Sequence, residues 1–180
     1  MATAIKLFNI TVLLVDYVKG FNIGLVCYTM LMSEYVIPPE EFVKIYSRVP
    51  RLCVDLIIRH KNGVILTLRK LPTWHKQWHL PGGGVQYQET IAQAVARKAK
   101  EELGIEVKIV KTLGYIEFPS EQKERGFGWS VSIGILCDYV SGVLTPNEEA
   151  YDVKVFTELP ENTIVEQAEF LKTHWSEIIN

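Results

Sequence analysis

The sequence predicts an α/β fold with a mixed sheet, and three observations carry that expectation. Two β-type runs, 52–60 and 64–70, are joined by the turn-forming Lys61-Asn62-Gly63. An amphipathic helix is expected over Glu89–Leu103, where Ile91, Val95, Ala99 and Leu103 recur every fourth residue. Two longer β-type runs, 107–118 and 128–140, then precede a short strand at 152–156 and a closing helical pattern from Glu161 to Ile179. Strands that alternate with helices in this order are best accommodated by one sheet with helices packed on it.

The first 33 residues stand apart. Apolar runs at 7–15 and 20–33 are interrupted by Asp16 and Lys19, and neither reaches the ~20 residues that a spanning helix needs. No basic n-region or clear cleavage site marks a secretory signal. The segment is rich in Val, Ile, Phe, Tyr and Thr, which also suits buried strand. It reads as a leader or extension, with Met32 as an alternative start, and 34–180 as the main domain. No membrane attachment is expected.

In the main domain, Pro39, Glu40 and Glu41 open a short helix that Pro50 closes. Residues 71–80 form a loop carrying Trp74 and Trp78. Gly104 is placed to end the central helix. Residues 119–126, polar and charged, and 140–152 are expected to be exposed loops.

Composition bounds the function. The formal net charge is −2, which argues against a nucleic-acid binder working through bulk positive field. Cys27, Cys53 and Cys137 have neither a CxxC spacing nor an even count, so reduced thiols in the cytoplasm are expected.

The chemistry concentrates in PGGGVQYQETIAQAVARKAKEELG, residues 81–104. A glycine run lets backbone approach a ligand closely. The helix after it brings Glu101 and Glu102 beside the loop that carries Glu89. Carboxylate oxygens suit Mg²⁺, which is commonly held by one or two carboxylates together with substrate phosphates. Equally, Arg97 with Glu101 and Lys98 with Glu102 are the i,i+4 pairs of an ordinary surface helix.

The spacing separates these readings. Five residues lie between Gly83 and Glu89, seven between Glu89 and Arg97, and Glu101, Glu102, Gly104 and Ile105 follow. This resembles the Nudix box, here 83–105. The resemblance implies a Nudix-like α/β/α sandwich and a Mg²⁺-dependent hydrolase, with Mn²⁺ as an alternative ion. Its substrate would be a nucleoside diphosphate linked to another moiety. Glu101 and Glu102 would bind the metal, joined by the carbonyl of Gly83. Glu89 would brace the loop, Arg97 would orient the glutamates, and Gly104 would close the helix. One departure stands out: the glutamate expected after Arg97 is Lys98.

The chain further resembles the GDP-mannose mannosyl hydrolase branch through residues 40–58, through GGGVQYQET and through Arg69, expected at the diphosphate. That branch is dimeric, which suggests a homodimer. It has an arginine where this chain has Gly84, and a base histidine where this chain has Ala150. Glu149, before the strand at 152–156, is therefore the first candidate for base or additional metal ligand, with Glu121 and Glu124 behind it. Trp78 and Tyr87 are candidate substrate contacts. His79 reads as a buried strand residue, and His75 remains open. The competing reading is a non-catalytic nucleotide-binding or regulatory domain of the same fold.

Overall fold

The computed structural model describes residues 4–7, 10–13 and 37–179. The chain divides into two compact units, 1–36 and 37–180. In the first, β1 (Ala4–Leu7) and β2 (Ile10–Leu13) form an antiparallel ladder. The expectations for 20–33, Cys27 and Met32 lie outside the described residues.

The second unit begins with α1 (Pro39–Tyr46), then β3 (Arg51–His60) and β4 (Gly63–Arg69). The turn between these strands places Lys61 and Asn62 at φ 47° and 60°, the left-handed pair that a two-residue hairpin turn demands. Next come β5 (Trp78–His79), β6 (Gly82–Gly84) and α2 (Ile91–Leu103). The chain continues through β7 (Ile105–Glu117), α3 (Glu121–Arg125), β8 (Ser130–Gly142), β9 (Ala150–Phe156) and α4 (Val165–Ile179).

The seven strands β3–β9 form one mixed sheet. β3 runs parallel to β8 from Arg51↔Ser130 to Arg59↔Asp138, and β7 pairs antiparallel with β8. On its other side β3 pairs with β4 only at Arg59↔Val64 and His60↔Gly63. Beyond that point the two strands part. β6 takes the edge of β3, and β5 and β9 take the edges of β4. This splay opens the cleft described below.

Side chains alternate along β3, so the strand serves two cores. Val54, Leu56 and Ile58 pack with Ala94, Val95, Ala99 and Leu103 of α2. Ile57 packs with Leu171 and Ile178 of α4. The sheet is covered by a helix on each face, which is the expected α/β/α sandwich.

Two expectations need correction. The glycine run is not only a turn, because Gly82–Gly84 is itself a strand. A Cβ on Gly82 would stand 2.1 Å from the Val54 carbonyl, so glycine alone permits this pairing. The segment 119–126 is not merely an exposed loop. It contains α3, whose Glu121 is buried against Gly128 and the Arg125 guanidinium.

The buried residues of the two described cores run from Val54 to Ile178. A chain beginning at Met32 should therefore stay soluble and unfold cooperatively within a few degrees of the full chain. Aggregation or a much lower Tm would assign the leader to the core or to an interface.

Candidate active site

The site starts with the junction between the glycine strand and α2. Thr90 caps α2: its Oγ1 accepts from Gln93 N, and the Gln93 side chain reaches back to Thr90 N. Gly104 closes the helix with φ 70°. Glu89, just ahead of the cap, accepts from Arg97 Nε at 2.6 Å, from Arg97 Nη2 at 2.8 Å and from Gln86 N at 2.9 Å. Arg97 also donates to the Gly84 carbonyl at 3.0 Å and to Glu101 at 3.0 Å. The guanidinium thus ties loop, strand and helix together. It holds the Glu89 carboxyl below the usual range, while Glu89 raises Arg97.

One turn on, Glu102 is buried, and its Oε2 accepts from Gly82 N at 3.0 Å. Burial pushes its carboxyl up, opposed by Lys98. Glu101 is half exposed. Lys98 Nζ lies 3.4 Å from Glu101 Oε2 and 3.3 Å from Glu102 Oε1. Its stem also covers Gly83, where an added Cβ would meet Lys98 Cε at 2.9 Å. The lysine therefore pairs with Glu102 as its spacing suggests, and fills the space between the two carboxylates.

Lys98 and Glu102 border a cavity of about 310 Å³ where β3 and β4 diverge, whereas Glu89, Arg97 and Glu101 lie outside its lining. Arg69, Lys98, Glu102 and Glu149 all line it. Arg69 is fixed by Thr73, whose carbonyl accepts from Nε at 2.7 Å and whose Oγ1 accepts from Nη2 at 3.1 Å. Glu149 is exposed at the rim; its charge adds to the burial that raises Glu102, and it opposes the burial that lowers Arg69.

The NUDIX domain family profile matches residues 49–174, well over half of the sequence. The chain belongs to the NUDIX domain family. Low-salt glycan biosynthesis protein Agl8 of Haloferax volcanii is 43% identical over 81 residues, 45% of this chain and 52% of that protein. The ADP-ribose pyrophosphatase of Methanocaldococcus jannaschii is 33% identical over 107 residues, 59% of this chain and 62% of that protein. The chain thus spans roughly half to three fifths of the length of these curated relatives. A NUDIX hydrolase structure from Nitrosomonas europaea superposes with TM-score 0.62 at 23% identity, covering 71% of each chain.

Not every expected residue reaches the NUDIX cleft. Trp78 does not line it: its indole packs edge-on against Phe156 at 4.7 Å, because the alternation of β5 turns it into the core beside α4. Trp74 is the tryptophan on the cavity wall. Tyr87 is 76% exposed on the box loop and is likewise not part of the lining. Glu124 accepts from Trp74 N at 2.9 Å, which gives it a structural task, whereas Glu121 faces the cavity. His79 lines the cleft with both ring nitrogens engaged, by Thr67 Oγ1 at 3.0 Å and the Leu80 carbonyl at 2.8 Å. Burial pushes it down to about 3, so it is a neutral strand residue. His75 sits outside, near the Lys70 and Leu71 carbonyls.

Sequence reasoning missed Asp55, Arg51 and Arg125, all of which line the cavity. The signal for Asp55 was a lone acid inside the apolar run LCVDLII. Its Oδ2 accepts from Gln167 Nε2 at 3.0 Å, and burial pushes it up to about 7.

Among the described residues no three His, Cys, Asp or Glu side chains form a ready-made metal cage. The donor chemistry nevertheless fits one hard cation, since the Glu101 and Glu102 carboxylates already share a single cationic group, the Lys98 ammonium. The Lys98 ammonium has to leave the pair for such an ion to enter.

The Asp55 carboxyl gives a pH test. Its folded value of about 7 lies above the ordinary 3.8. The associated stability is complete below pH ~4 and is lost as pH rises through ~7, because the folded state keeps the proton longer. Urea unfolding of the parent should show this decline, worth a few kcal/mol, and Asp55→Asn should flatten it. A parallel pH profile in the variant would place Asp55 in a wetter setting.

Proposed function

We propose that this NUDIX protein is a Mg²⁺-dependent hydrolase of nucleoside diphosphate derivatives, with a nucleotide sugar such as GDP-mannose as the favoured substrate type. The observation that carries this reading is the convergence of Glu102, Lys98, Arg69 and Glu149 on one cleft beside the glycine strand. The names of the two relatives support it. An ADP-ribose pyrophosphatase acts on a nucleoside diphosphate joined to a sugar, and a glycan biosynthesis protein belongs with sugar chemistry.

On this reading Glu101 and Glu102, with the Gly83 carbonyl, hold the divalent cation, Mg²⁺ or Mn²⁺. The ion would neutralise developing phosphoryl charge. Arg69, immobilised by Thr73, binds the diphosphate as a fork of donors. Glu149 at the rim accepts the proton of the attacking water. Arg97 contacts no substrate: it positions Glu101 directly, and Glu102 through the loop. A cytoplasmic setting and a homodimer belong to the same proposal, the first supported by the free, buried thiols of Cys53 and Cys137. No helix among the described residues is long and apolar enough to cross a membrane.

The Lys98 ion pairs favour a second reading, a nucleotide-binding domain without turnover. A screen of nucleotide sugars, dinucleotides and triphosphates with Mg²⁺, with products identified, separates the two. Glu102→Gln should lower turnover by orders of magnitude. Glu149→Gln should lower kcat by about 10²- to 10⁴-fold with little change in KM. A Glu149→Gln protein that runs at the parent rate would move the base elsewhere, and no turnover of any substrate by the parent would favour the binding domain.

Lys98→Met should tighten Mn²⁺ binding in calorimetry, because it removes a cation 3.3–3.4 Å from both carboxylates. Unchanged affinity would mean that the ion does not enter this pair.

A further inference from the structure

The end of the cleft where β3 and β8 begin has its own chemistry. Arg51 opens β3 and is the register partner of Ser130, which opens β8. Arg125, on α3, reaches the same place, since its charge and that of Arg51 oppose each other and both groups line the cavity. Two guanidiniums that face one cavity repel unless something negative lies between them.

The protein's own groups leave this demand partly unmet. Arg51 Nε is shielded from solvent and finds no hydrogen-bond partner. Arg125 Nε stands 3.2 Å from Glu121 Oε1 with its N–H aligned with no acceptor, and Glu121 Oε2 is itself without a donor. The Ser130 hydroxyl, on a residue only 4% exposed, is also without a partner of normal geometry. The Cys53 sulfur, which the Arg51 and Ser130 side chains approach, is a weak acceptor and supplies no counter-charge, because burial pushes its ionisation up. Buried donors without acceptors are uncommon in folded proteins, and several at one place call for an explanation.

The geometry around them is firm. Trp74, at φ 52°, donates from Nε1 to Ser120 Oγ at 3.0 Å and from its backbone to Glu124 Oε2 at 2.9 Å. The guanidiniums of Arg69 and Arg125 lie over its ring, 5.7 and 5.9 Å from the centroid. The indole is thus a fixed ring shared by Arg69, the arginine assigned to the diphosphate, and Arg125.

We propose that Arg51, Arg125 and Ser130 form a second anion subsite, which takes a carboxylate or phosphate carried by the moiety beyond the diphosphate. This rests on the reading that the cleft binds a nucleoside diphosphate derivative, and within that class it favours an anionic second moiety over the neutral sugar of GDP-mannose. Arginine forks match the paired oxygens of both groups, and the serine hydroxyl adds a third donor.

The test is binding, independent of turnover. The Nε–H signals of Arg51 and Arg125 in the full chain are followed by NMR during titration with glucuronate, glucose 6-phosphate and neutral glucose. One of the two anions should shift both signals saturably while glucose does not, and the tighter of them identifies the group as carboxylate or phosphate. Arg51→Met should weaken that response about 10-fold or more. This variant is preferred to Arg125→Met, which strands the buried Glu121 and could prevent folding. Signals indifferent to both anions, or an Arg51→Met protein that binds as tightly as the parent, would overturn the subsite. A full chain that answers the anion but hydrolyses nothing refutes the hydrolase reading and leaves the subsite standing. One that hydrolyses neutral nucleotide sugars without answering either anion refutes the subsite alone.

Discussion

Arg97 is the constraint on which the rest of the site depends. A glycine strand is entropically costly to hold, since glycine loses more backbone freedom on folding than any other residue. One guanidinium offsets part of that cost by binding both oxygens of Glu89, the Gly84 carbonyl and Glu101. It is one-fifth exposed and Glu89 about one-tenth, so these charge-assisted bonds are largely sheltered from competing water. With the loop fixed, Gly82 offers its N–H to Glu102, and a buried carboxylate gains the donor it needs. Positions of the motif that look independent in the sequence are links of one chain of contacts.

Charge balance is the second theme. Four cationic side chains, Arg51, Arg69, Lys98 and Arg125, and four acidic ones, Asp55, Glu102, Glu121 and Glu149, share one cavity. They are unevenly distributed. At the α2 end, Lys98 sits between two glutamates and answers their charge. At the β3–β8 end, two arginines share a single close carboxylate, Glu121, in imperfect alignment. Asp55, between them in sequence and space, is pushed toward neutrality by burial. The cleft is therefore polarised, with one end satisfied by an internal cation and the other short of anions.

That polarity has a topological origin. β3 and β4 share only two residue pairs, and their divergence exposes the inward side chains of β3 that elsewhere would be core. Cys53 and Asp55 share the parity of Ile57, which belongs to the core under α4. The same face of one strand turns from hydrophobic packing to ligand-facing polar groups within four residues. Gln167 of α4 spans the boundary, donating to Asp55 and accepting from Leu80 N at 2.9 Å.

Local pattern was enough for much of this protein. The four-residue apolar spacing of α2 and the Lys61-Asn62-Gly63 turn are short-range properties, and both appear where the sequence put them. The box spacing identified Glu89, Arg97, Glu101 and Glu102 because their contacts run through one loop and one helix. Contacts between distant segments were not legible. Trp74 and Trp78 look alike in sequence, yet only the pairing of β5 with β4 sends Trp78 into the core and leaves Trp74 on the cavity wall. Lys98 could have faced either way on an isolated helix; β6 lying beneath it directs the ammonium into the carboxylate pair. Arg51 and Arg125 are 74 residues apart in the chain. They meet only because β3 runs parallel to β8 and α3 folds over that end, and tertiary structure alone made that decision.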